Sequence, residues 1–600
     1  MSLPASPRPL LNFFLLIFLG LFTFSSGAKA IQYSVSLEHP EQHLFHVTMT
    51  IPDVKGEVTV EMAAWNALYQ IRDFSSRVQQ VEALAGQGKA PIEKIDKQRW
   101  RIQGNGTITI RYATYWDEAG PFATQLNGDH AFVNPAMILL YIPDRRAEAV
   151  SLSMSDLPAD WNIESAATVV RSFLGRTRVI TVEAPSYDAL ADSPIEIGRF
   201  EEFDLGRVAP RIKVVVHGDK WRKKQIEQGL KRICEYEIKL MEGAPFDHYT
   251  FILHIGKGAG GGGMEHSYSA AIGVPSDEAL SGVAAHEFFH LWNVKRIRPA
   301  TLEPVDYAKE QYTRALWFAE GVTNTYGSFT LVRSGLWSKD RFYADLGEQI
   351  TELESRPANR WQSAEQSSLD AWLEKYQLYN QPDYSVSYYT KGQVLGDLLD
   401  ILIRDRTNNA KSLDDVLHSM NNDFAKQGKF YRDSLDVRLE AEKVAGVSFE
   451  EFFQKYVSGA EPFPYQQVLG LAGLELRATE HRLATPGFAG ERESSGVFIV
   501  KAVDADGLAA QAGLRVGDAI LTWNGGEVPR RPSRWVMEQN PGDLLTLRVR
   551  REEKELSVQF RLGELKETAY EVLEDTHASD KARRIRDGLL RGETSAASHQ

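Results

Sequence analysis

A five-residue pattern, His286-Glu287-Phe288-Phe289-His290, is the part of this sequence best suited to bind a metal ion. Residues four apart share one face of an α-helix, so two imidazoles at this spacing can bind one tetrahedral Zn²⁺ from adjacent turns. Glu287 would lie beside the metal, where its carboxylate can accept a proton from an activated water molecule. The pattern predicts a hydrolytic zinc site. An ordinary helix with two unrelated histidines is the alternative that the surrounding sequence must exclude.

A zinc site of this kind needs a third protein ligand, and two positions exclude one common arrangement. A metzincin has Gly and His at the positions occupied here by Asn293 and Arg296. The remaining common choice is a carboxylate on a following helix. Glu320 lies beside Trp317 and Phe318, where burying an unpaired carboxylate would be costly unless a metal ion offset that cost. Glu320 is therefore the predicted third ligand.

Three other polar residues bear on this assignment. Asn324 follows Glu320 by one helical turn and could hydrogen-bond the free nitrogen of a metal-bound histidine. Glu303 and Glu310 are rival third ligands, but both lie in more polar, loop-like sequence. We therefore predict Glu320 as the ligand and a supporting role for Asn324.

Residues that could bind substrate flank the zinc pattern on both sides. Gly263, Met264 and Glu265 end a glycine-rich run, in which glycine lets a substrate backbone approach closely and Glu265 could bind a cationic amine. A flexible loop with an exposed glutamate is the alternative. Downstream, the Tyr389 hydroxyl could donate a hydrogen bond to the oxyanion of a tetrahedral intermediate. A plain aromatic packing position is the alternative for Tyr389.

The composition of the chain is that of a globular protein with several domains. Its 600 residues exceed what one hydrophobic core supports, and 43% hydrophobic with 25% charged residues argues against long disorder. A net charge of -13 gives no indication of nucleic-acid binding. Cys234 is the single cysteine, which excludes both a disulfide framework and a cysteine cluster for zinc.

The first 30 residues have the pattern of a signal peptide. Arg8 precedes an apolar run over residues 10–24, and Ala28-Lys29-Ala30 provides small residues for cleavage. The run is short for a stable membrane span, and no later stretch reaches about 18 apolar residues. We predict cleavage after Ala30 and export to a periplasm or out of the cell. A retained membrane anchor is the alternative.

The hydrophobic pattern divides residues 31–465 into two domains. Period-two alternation at 31–37 and 46–51, with a predicted hairpin over 100–110, indicates an all-β domain over residues 31–205. Residues 206–465 are predicted to form a mixed α+β domain with a strand at 249–255 and with helices near 277–293, 311–333, 391–406 and 412–425. All of the candidate catalytic residues fall in the second domain.

The C-terminal region has a different character. Its pattern, with Gly507, Ala512-Gly513-Leu514, Gly517-Asp518 and Asn524-Gly525, resembles PDZ domains of the bacterial, protease-associated kind. The resemblance covers residues 466–563 and implies a site for a peptide or protein C-terminus, with its binding loop placed near residues 469–471. Residues 564–600 are predicted to form a charged helical tail.

The motifs together resemble a peptidase family. Gly-Met-Glu before the zinc pattern, Trp-x-x-Glu-Gly after it and Tyr-x-Lys-Gly further on follow the order of the gluzincin aminopeptidases. The run from His286 to Pro299 resembles the glycyl aminopeptidase family, which also carries a C-terminal PDZ domain. Compared with leukotriene-hydrolase-like aminopeptidases, this chain has His266 in place of Asn. It also has Lys309 where their third ligand falls, which favours the glycyl branch.

The resemblance implies a fold, a cofactor and an activity. It implies a thermolysin-like catalytic domain, one zinc ion per chain and release of N-terminal glycine or other small residues from peptides with a free N-terminus. It assigns the zinc ligands to His286, His290 and Glu320, the base to Glu287, the amine anchor to Glu265 and the oxyanion donor to Tyr389. Two alternatives stay open: an endopeptidase regulated by the PDZ domain, and a peptide-binding adaptor or chaperone with a non-catalytic peptidase domain.

Overall fold

The computed structural model describes residues 30–174, 177–206, 210–374, 384–493 and 495–595. The predicted signal peptide lies outside these residues except for Ala30. Within the described ranges, no helix is both long enough and apolar enough to cross a membrane. The buried hydrophobic residues form three main clusters, which lie in an N-terminal β domain, a mixed catalytic region and a small C-terminal sheet.

The N-terminal domain is built almost entirely from strands, as predicted. An eight-stranded sheet has the order β13-β14-β11-β1-β2-β8-β4-β5, with a four-stranded sheet β12-β15-β10-β9 and a three-stranded sheet β3-β7-β6 beside it. Two short helices complete the domain, α1 (Pro135–Ile138) and α2 (Tyr187–Ala191). The strands are β1 Ile31–Ser36, β2 Leu44–Val54, β3 Glu57–Glu61, β4 Val78–Ala85, β5 Gly88–Lys89, β6 Ile92–Lys94, β7 Arg99–Gln103, β8 Gly106–Tyr115, β9 Gln125–Leu126, β10 His130–Val133, β11 Val150–Ser155, β12 Asn162–Ser165, β13 Thr168–Leu174, β14 Thr177–Ala184 and β15 Ile195–Gly198.

The predicted hairpin over residues 100–110 is wrong, although both of its strands exist. β7 pairs with β3 and β6, whereas β8 pairs with β2 and β4 in the large sheet. The backbone N–H of Gly104 donates to Gly56, and the Asn105 side chain accepts from the same residue. The segment between β7 and β8 therefore crosses from one sheet to another. A glycine-rich turn between two alternating strands indicates a change of direction without identifying the pairing partner.

The catalytic region begins with a five-stranded sheet in the order β16-β17-β18-β20-β19. Its three central strands are parallel and nearly continuous in hydrophobic residues, as expected for strands covered on both faces. The edge strand β16 pairs with β17, so residues 201–204 belong to this sheet and the predicted domain boundary at residue 205 lies too late. The strands are β16 Glu201–Asp204, β17 Arg211–Gly218, β18 His248–Ile255, β19 Gly262–Glu265 and β20 Ser269–Val274.

A helical bundle packs against this sheet and forms the rest of the catalytic region. The predicted helices are all present, but the α-helices near 277–293 and 311–333 are shorter than expected. Asp277–Ala279 form a 3₁₀ helix, and the other outer residues lie in loops or turns. The helices are α3 Lys223–Leu240, α4 Leu280–Phe289, a π-helical segment Trp317–Val322 continuous with α5 Thr323–Arg333, α6 Lys339–Glu354, α7 Ala364–Leu369, α8 Ala371–Glu374, α9 Tyr388–Arg406, α10 Leu413–Asp423, α11 Ser434–Ala445, α12 Glu450–Phe452 and α13 Tyr465–Leu471.

The C-terminal part is carried on a two-stranded ribbon. β21 (Leu474–Thr485) and β27 (Gly563–Glu574) pair antiparallel over their full length and hold between them a second five-stranded sheet, β22-β23-β24-β25-β26. α16 (Asp580–Arg591) then packs back against α5 and α9. The remaining elements are β22 Phe488–Arg492, β23 Phe498–Val503, α14 Leu508–Gln511, β24 Ala519–Trp523, α15 Pro532–Met537, β25 Leu544–Arg551 and β26 Lys554–Arg561.

This arrangement corrects two predictions about the C-terminus. Val468 and Leu469, predicted to belong to the PDZ domain, lie in α13 and are buried in the catalytic core, so residues 469–471 cannot form a peptide-binding loop there. The predicted helical tail over 564–600 begins instead as strand β27 and becomes helical only in α16. The charges on β27 that suggested a solvated helix lie on a half-exposed ribbon.

Candidate metal centre and active site

The three predicted metal ligands come together. α4 carries His286 and His290, and the π-helical segment carries Glu320. The two Nε2 atoms are 2.9 Å apart, and Glu320 Oε2 lies 3.5 Å from Nε2 of His286 and 3.3 Å from Nε2 of His290. Ligand atoms that each lie about 2.0–2.1 Å from a tetrahedral zinc are separated by roughly 3.3 Å, so the three donor atoms have suitable spacing for one ion.

The rival third ligands lie elsewhere. Glu303 forms an ion pair with Arg298, with Nε and Oε2 2.9 Å apart. Neither Glu303 nor Glu310 belongs to any group of described residues that could surround a metal ion, whereas Glu320 does. Glu320 is also buried, as its apolar neighbours predicted.

The electrostatics of this site favour a bound cation. Burial alone would lower the pKa of His290, but the charge of Glu320, followed by Glu265 and Glu287, raises that pKa to about 10. Burial, with a contribution from Glu265 and Glu320, raises the pKa of Glu287 well above its usual value. Three carboxylates therefore converge on two imidazoles in a buried region. The donor set of two imidazole nitrogens and one carboxylate is one that zinc commonly uses, so these residues fit the metal that the pattern predicts.

The predicted supporting role of Asn324 is wrong. His290 Nδ1 contacts the backbone oxygen of Asn293 at 2.7 Å, and the buried Nδ1 of His286 has no hydrogen-bond partner. Asn293 itself is fully buried, and its amide donates to the Phe318 oxygen and to Thr323 Oγ1. Asn293 thus orients His290 and ties the end of α4 to the segment that carries Glu320. In the sequence, Asn293 is a polar residue directly after an apolar helix. Its position was used only to exclude a metzincin, and nothing indicated that it contacts His290.

Gly263 lies directly against the predicted base. A Cβ atom at Gly263 would be 2.4 Å from Cγ of Glu287 and 2.5 Å from its Cδ and Oε1. No side chain larger than hydrogen fits there while Glu287 keeps its position. The glycine that was predicted to admit a substrate backbone therefore also makes room for the carboxylate of Glu287.

The predicted amine anchor, Glu265, is on edge strand β19 and lines the same cleft as the metal ligands. Its carboxylate oxygen, one from Glu287 and an imidazole nitrogen from His290 lie within 4.8 Å of one another. Glu265 forms no ion pair with a basic side chain among the described residues, so the cleft presents an unneutralised carboxylate. Met264, the preceding residue, is buried and also lines the cleft.

His266, where the sequence departs from related aminopeptidases, does not line the cleft. Its Nδ1 contacts Asp192 of the N-terminal domain at 3.1 Å, and Lys295 Nζ donates to the same carboxylate oxygen at 2.9 Å. Burial alone would raise the pKa of Asp192, but Lys295 and His266 hold it well below its usual range. The departure therefore forms part of a contact between domains and leaves Glu265 free to face the cleft.

Tyr389 reaches the cleft because two helices cross unusually closely. Its ring centroid lies 6.0 Å from that of His286. A Cβ atom on Gly321 would lie 2.5 Å from Cα of Gly392, and one on Gly392 would lie 2.1 Å from the Trp317 oxygen. These glycines let the first turn of α9 pack against the π-helical segment, which explains the glycine in both the Trp-x-x-Glu-Gly and the Tyr-x-Lys-Gly motifs.

The N-terminal domain supplies part of the cleft wall, which the sequence did not indicate. Trp65, Leu68, Tyr69, Phe122 and Asp192 line the cleft opposite the catalytic residues. Their segments have no catalytic pattern, and only the packing of the two domains brings them to the metal ligands. The site is therefore a groove between two domains, a common position for a substrate site.

Comparisons with known proteins agree with this geometry. Residues 279–395 match the M61 glycyl aminopeptidase family, and residues 32–199 match the peptidase M61 N-terminal domain. No curated protein matches the chain. Two segments of the chain are therefore similar to domains of M61 peptidases, and the segment matched to the glycyl aminopeptidase model includes the three predicted metal ligands, Glu287 and Tyr389.

A solved structure shares the fold, and others match it more weakly. A protein from Idiomarina loihiensis described as an aminopeptidase N family protein superposes with a TM-score of 0.80 at 24% identity, covering 93% of this chain and 100% of that chain. A mutant M1 zinc metallopeptidase from Deinococcus radiodurans, bound to a Tyr-Ser-Ala substrate, has a TM-score of 0.46 at 11% identity, covering 73% of this chain and 94% of that one. Yeast LTA4 hydrolase has a TM-score of 0.43 at 14% identity, covering 74% and 70%.

Replacing Gly263 with alanine should impair catalysis by displacing Glu287. The added Cβ overlaps the Glu287 side chain, and a displacement of about 1 Å from productive geometry can cost about 100-fold in rate. We expect G263A to lower kcat for peptide hydrolysis by about that factor while metal content is unchanged. Gly261→Ala is the matched control, because a Cβ there meets nothing within 4 Å. Equal activity of the two variants would contradict the role given to this contact.

Proposed function

We propose that this protein is a zinc-dependent aminopeptidase that releases N-terminal glycine and other small residues from peptides. The observation that carries the proposal is the convergence of His286, His290 and Glu320 beside Glu287, with Glu265, which forms no ion pair within the described ranges, in the same cleft. The match to the M61 glycyl aminopeptidase family supports both the activity and the preference for small residues.

Different side chains of the cleft can bind the metal, transfer the proton and stabilise the oxyanion during hydrolysis. His286, His290 and Glu320 would hold the zinc ion, which when bound polarises the scissile carbonyl and acidifies a water molecule. Glu287, buried and with a raised pKa, accepts the proton of the attacking water and passes a proton to the leaving amine. Tyr389 donates a hydrogen bond to the oxygen on which negative charge develops.

Glu265 explains why the enzyme would act from the amino end of a peptide. Its carboxylate binds the ammonium group of the first residue, and an internal peptide bond offers no such charge. The ammonium also offsets the repulsion between Glu265 and Glu287, which lie close together in the cleft. A peptide held this way presents its first carbonyl to the metal ligands.

We further propose that the C-terminal sheet is a PDZ-like module. Its Gly-Asp motif has a structural reason, because the buried Asp518 accepts hydrogen bonds from Arg515 and Arg551. Its Asn-Gly motif forms a tight turn in which Asn524 accepts from the backbone of Thr546. Binding of C-terminal peptides to the full chain, with C-terminally amidated peptides as controls, tests this proposal. Export directed by residues 1–30 also remains a proposal, and N-terminal sequencing of the mature protein tests it.

Variants of three glutamates separate metal binding from proton transfer. Glu287→Gln should keep one zinc ion in this site and lose at least about 100-fold in turnover, because the base is removed while the ligands stay. Glu320→Gln should lose that zinc ion as well as activity, since a neutral amide is a poor ligand. Glu310→Gln is the control and should change neither. Metal analysis by mass spectrometry and rates on glycyl reporter amides measure these outcomes. Full turnover of E287Q would refute the mechanism.

Blocked substrates distinguish an aminopeptidase from an endopeptidase. Glycyl and alanyl reporter amides should be cleaved, and their N-acetylated forms should not, because acetylation removes the charge that Glu265 binds. Glu265→Gln should raise KM for the free amides by about tenfold or more, the loss expected when a charged hydrogen bond of about 1.5–3 kcal/mol is weakened. Cleavage of acetylated and free substrates at similar rates would favour the PDZ-regulated endopeptidase. Metal binding without cleavage of either would favour the peptide-binding adaptor.

A further inference from the structure

A second cluster of histidine and glutamate side chains lies at the contact between the N-terminal and catalytic domains. His130 on β10 and Glu196 on β15 come from the N-terminal four-stranded sheet. His217 near the end of β17 and His254 on β18 come from the catalytic sheet. None of these residues lines the active-site cleft, and none belongs to a motif that the sequence singled out.

The donor atoms of this cluster converge. His254 Nε2 lies 2.8 Å from Glu196 Oε2, and one ligand atom each from His130, Glu196 and His254 fall within 4.8 Å of one another. The ring of His217 stacks on that of His130, with centroids 3.9 Å apart, and its Nδ1 lies 3.8 Å from Glu196 Oε1. Three side chains from two domains thus place a ligand atom near one position, and His217, whose Nδ1 also contacts the Arg199 backbone oxygen at 3.3 Å, lies beside them.

Burying these polar groups costs free energy unless a further hydrogen-bond partner or a counter-charge is present. The Glu196 side chain is completely buried, and neither its Oε1 atom nor Nε2 of His130 has a hydrogen-bond partner. The ring of Phe132 packs 4.9 Å from His254, in a small apolar group with Ile252 and Ala271. Buried polar atoms are almost always paired, and a carboxylate in apolar surroundings needs a counter-charge.

We propose that His130, Glu196 and His254 bind a second divalent transition-metal ion of the zinc class, separate from the catalytic one. Imidazole and carboxylate ligands suit zinc and similar divalent transition metals. A cation at this position would offset the charge of Glu196 and give its Oε1 atom and Nε2 of His130 a partner. The His217 side chain is 26% exposed and borders the cluster, so it provides the route for the ion from solvent.

The position of the site gives it a structural role. Two of the ligands lie on neighbouring strands of the N-terminal sheet, and the third lies on a central strand of the catalytic sheet. The ion would therefore cross-link the two domains whose contact forms the substrate groove. Metal binding to ligands from two folded units stabilises their association by the free energy of binding.

Metal content of variants tests the proposal in the full-length protein. Each protein is loaded with excess Zn²⁺, desalted and analysed by mass spectrometry for zinc per chain. We expect two equivalents in the wild type and one in Glu320→Gln, which lacks the catalytic ion. Glu196→Gln should also retain one equivalent, and the E196Q/E320Q double variant should retain no stoichiometric zinc. His43→Gln is the control, because His43 contacts a backbone oxygen outside the cluster and should leave the zinc content at two.

A second measurement covers the case in which Glu196→Gln folds poorly. Metal-free Glu320→Gln should show a higher thermal midpoint when Zn²⁺ is added, and bound Co²⁺ should give visible absorption bands that His254→Gln abolishes. A Glu320→Gln protein that carries no zinc and gains no stability from it would overturn the proposal and leave a hydrogen-bonded cluster only. If the proposed aminopeptidase fails instead, Glu320→Gln will match the wild type in zinc content while Glu196→Gln still loses one equivalent.

Discussion

The architecture of this protein depends on bringing one buried carboxylate against two imidazoles. Glu320 lies 3.3–3.5 Å from the Nε2 atoms of His286 and His290, although it comes from a different helix. That approach requires α4 and the segment before α5 to pack closely, and the stacked rings of Phe289 and Tyr326, 4.4 Å apart, contribute to this contact. Asn293 then ties the end of α4 to the Glu320 segment through hydrogen bonds.

The groove around these ligands exists because two domains meet. The parallel sheet of the catalytic region presents edge strand β19 beside α4, which places Glu265 near Glu287 and Gly263 against it. The N-terminal domain closes the other side with aromatic residues and contributes Asp192, which binds both His266 and Lys295. The proposed second metal site lies at another point of the same domain contact, so both sites depend on how the two sheets are placed.

Much of this could be predicted from local patterns. That His286, His290 and Glu320 would come together follows from local rules, since histidine spacing on a helix and a carboxylate among apolar residues are both visible in the sequence. Glu265 and Tyr389, predicted from short motifs, line the same cleft. Errors arose where partners are distant in sequence. The hairpin predicted over 100–110 is wrong because strand alternation does not identify a pairing partner. The hydrogen bond predicted for Asn324 is absent at His290, because Nδ1 of His290 contacts the backbone oxygen of Asn293 instead. The prediction of a helix at the start of the tail is wrong, because this segment pairs as strand β27 with β21, which is distant in sequence.

By itself, the sequence determined which side chains could hold a metal ion, since two histidines four residues apart share one helix face and a glutamate among apolar residues needs a counter-charge. Only the tertiary structure decided which glycines are required and why, because the contacts of Gly263, Gly321 and Gly392 are with residues far along the chain. The same holds for the four residues of the second cluster, which come from four different strands of two sheets. Their convergence follows from strand order and domain packing, and no local pattern in a sequence records either.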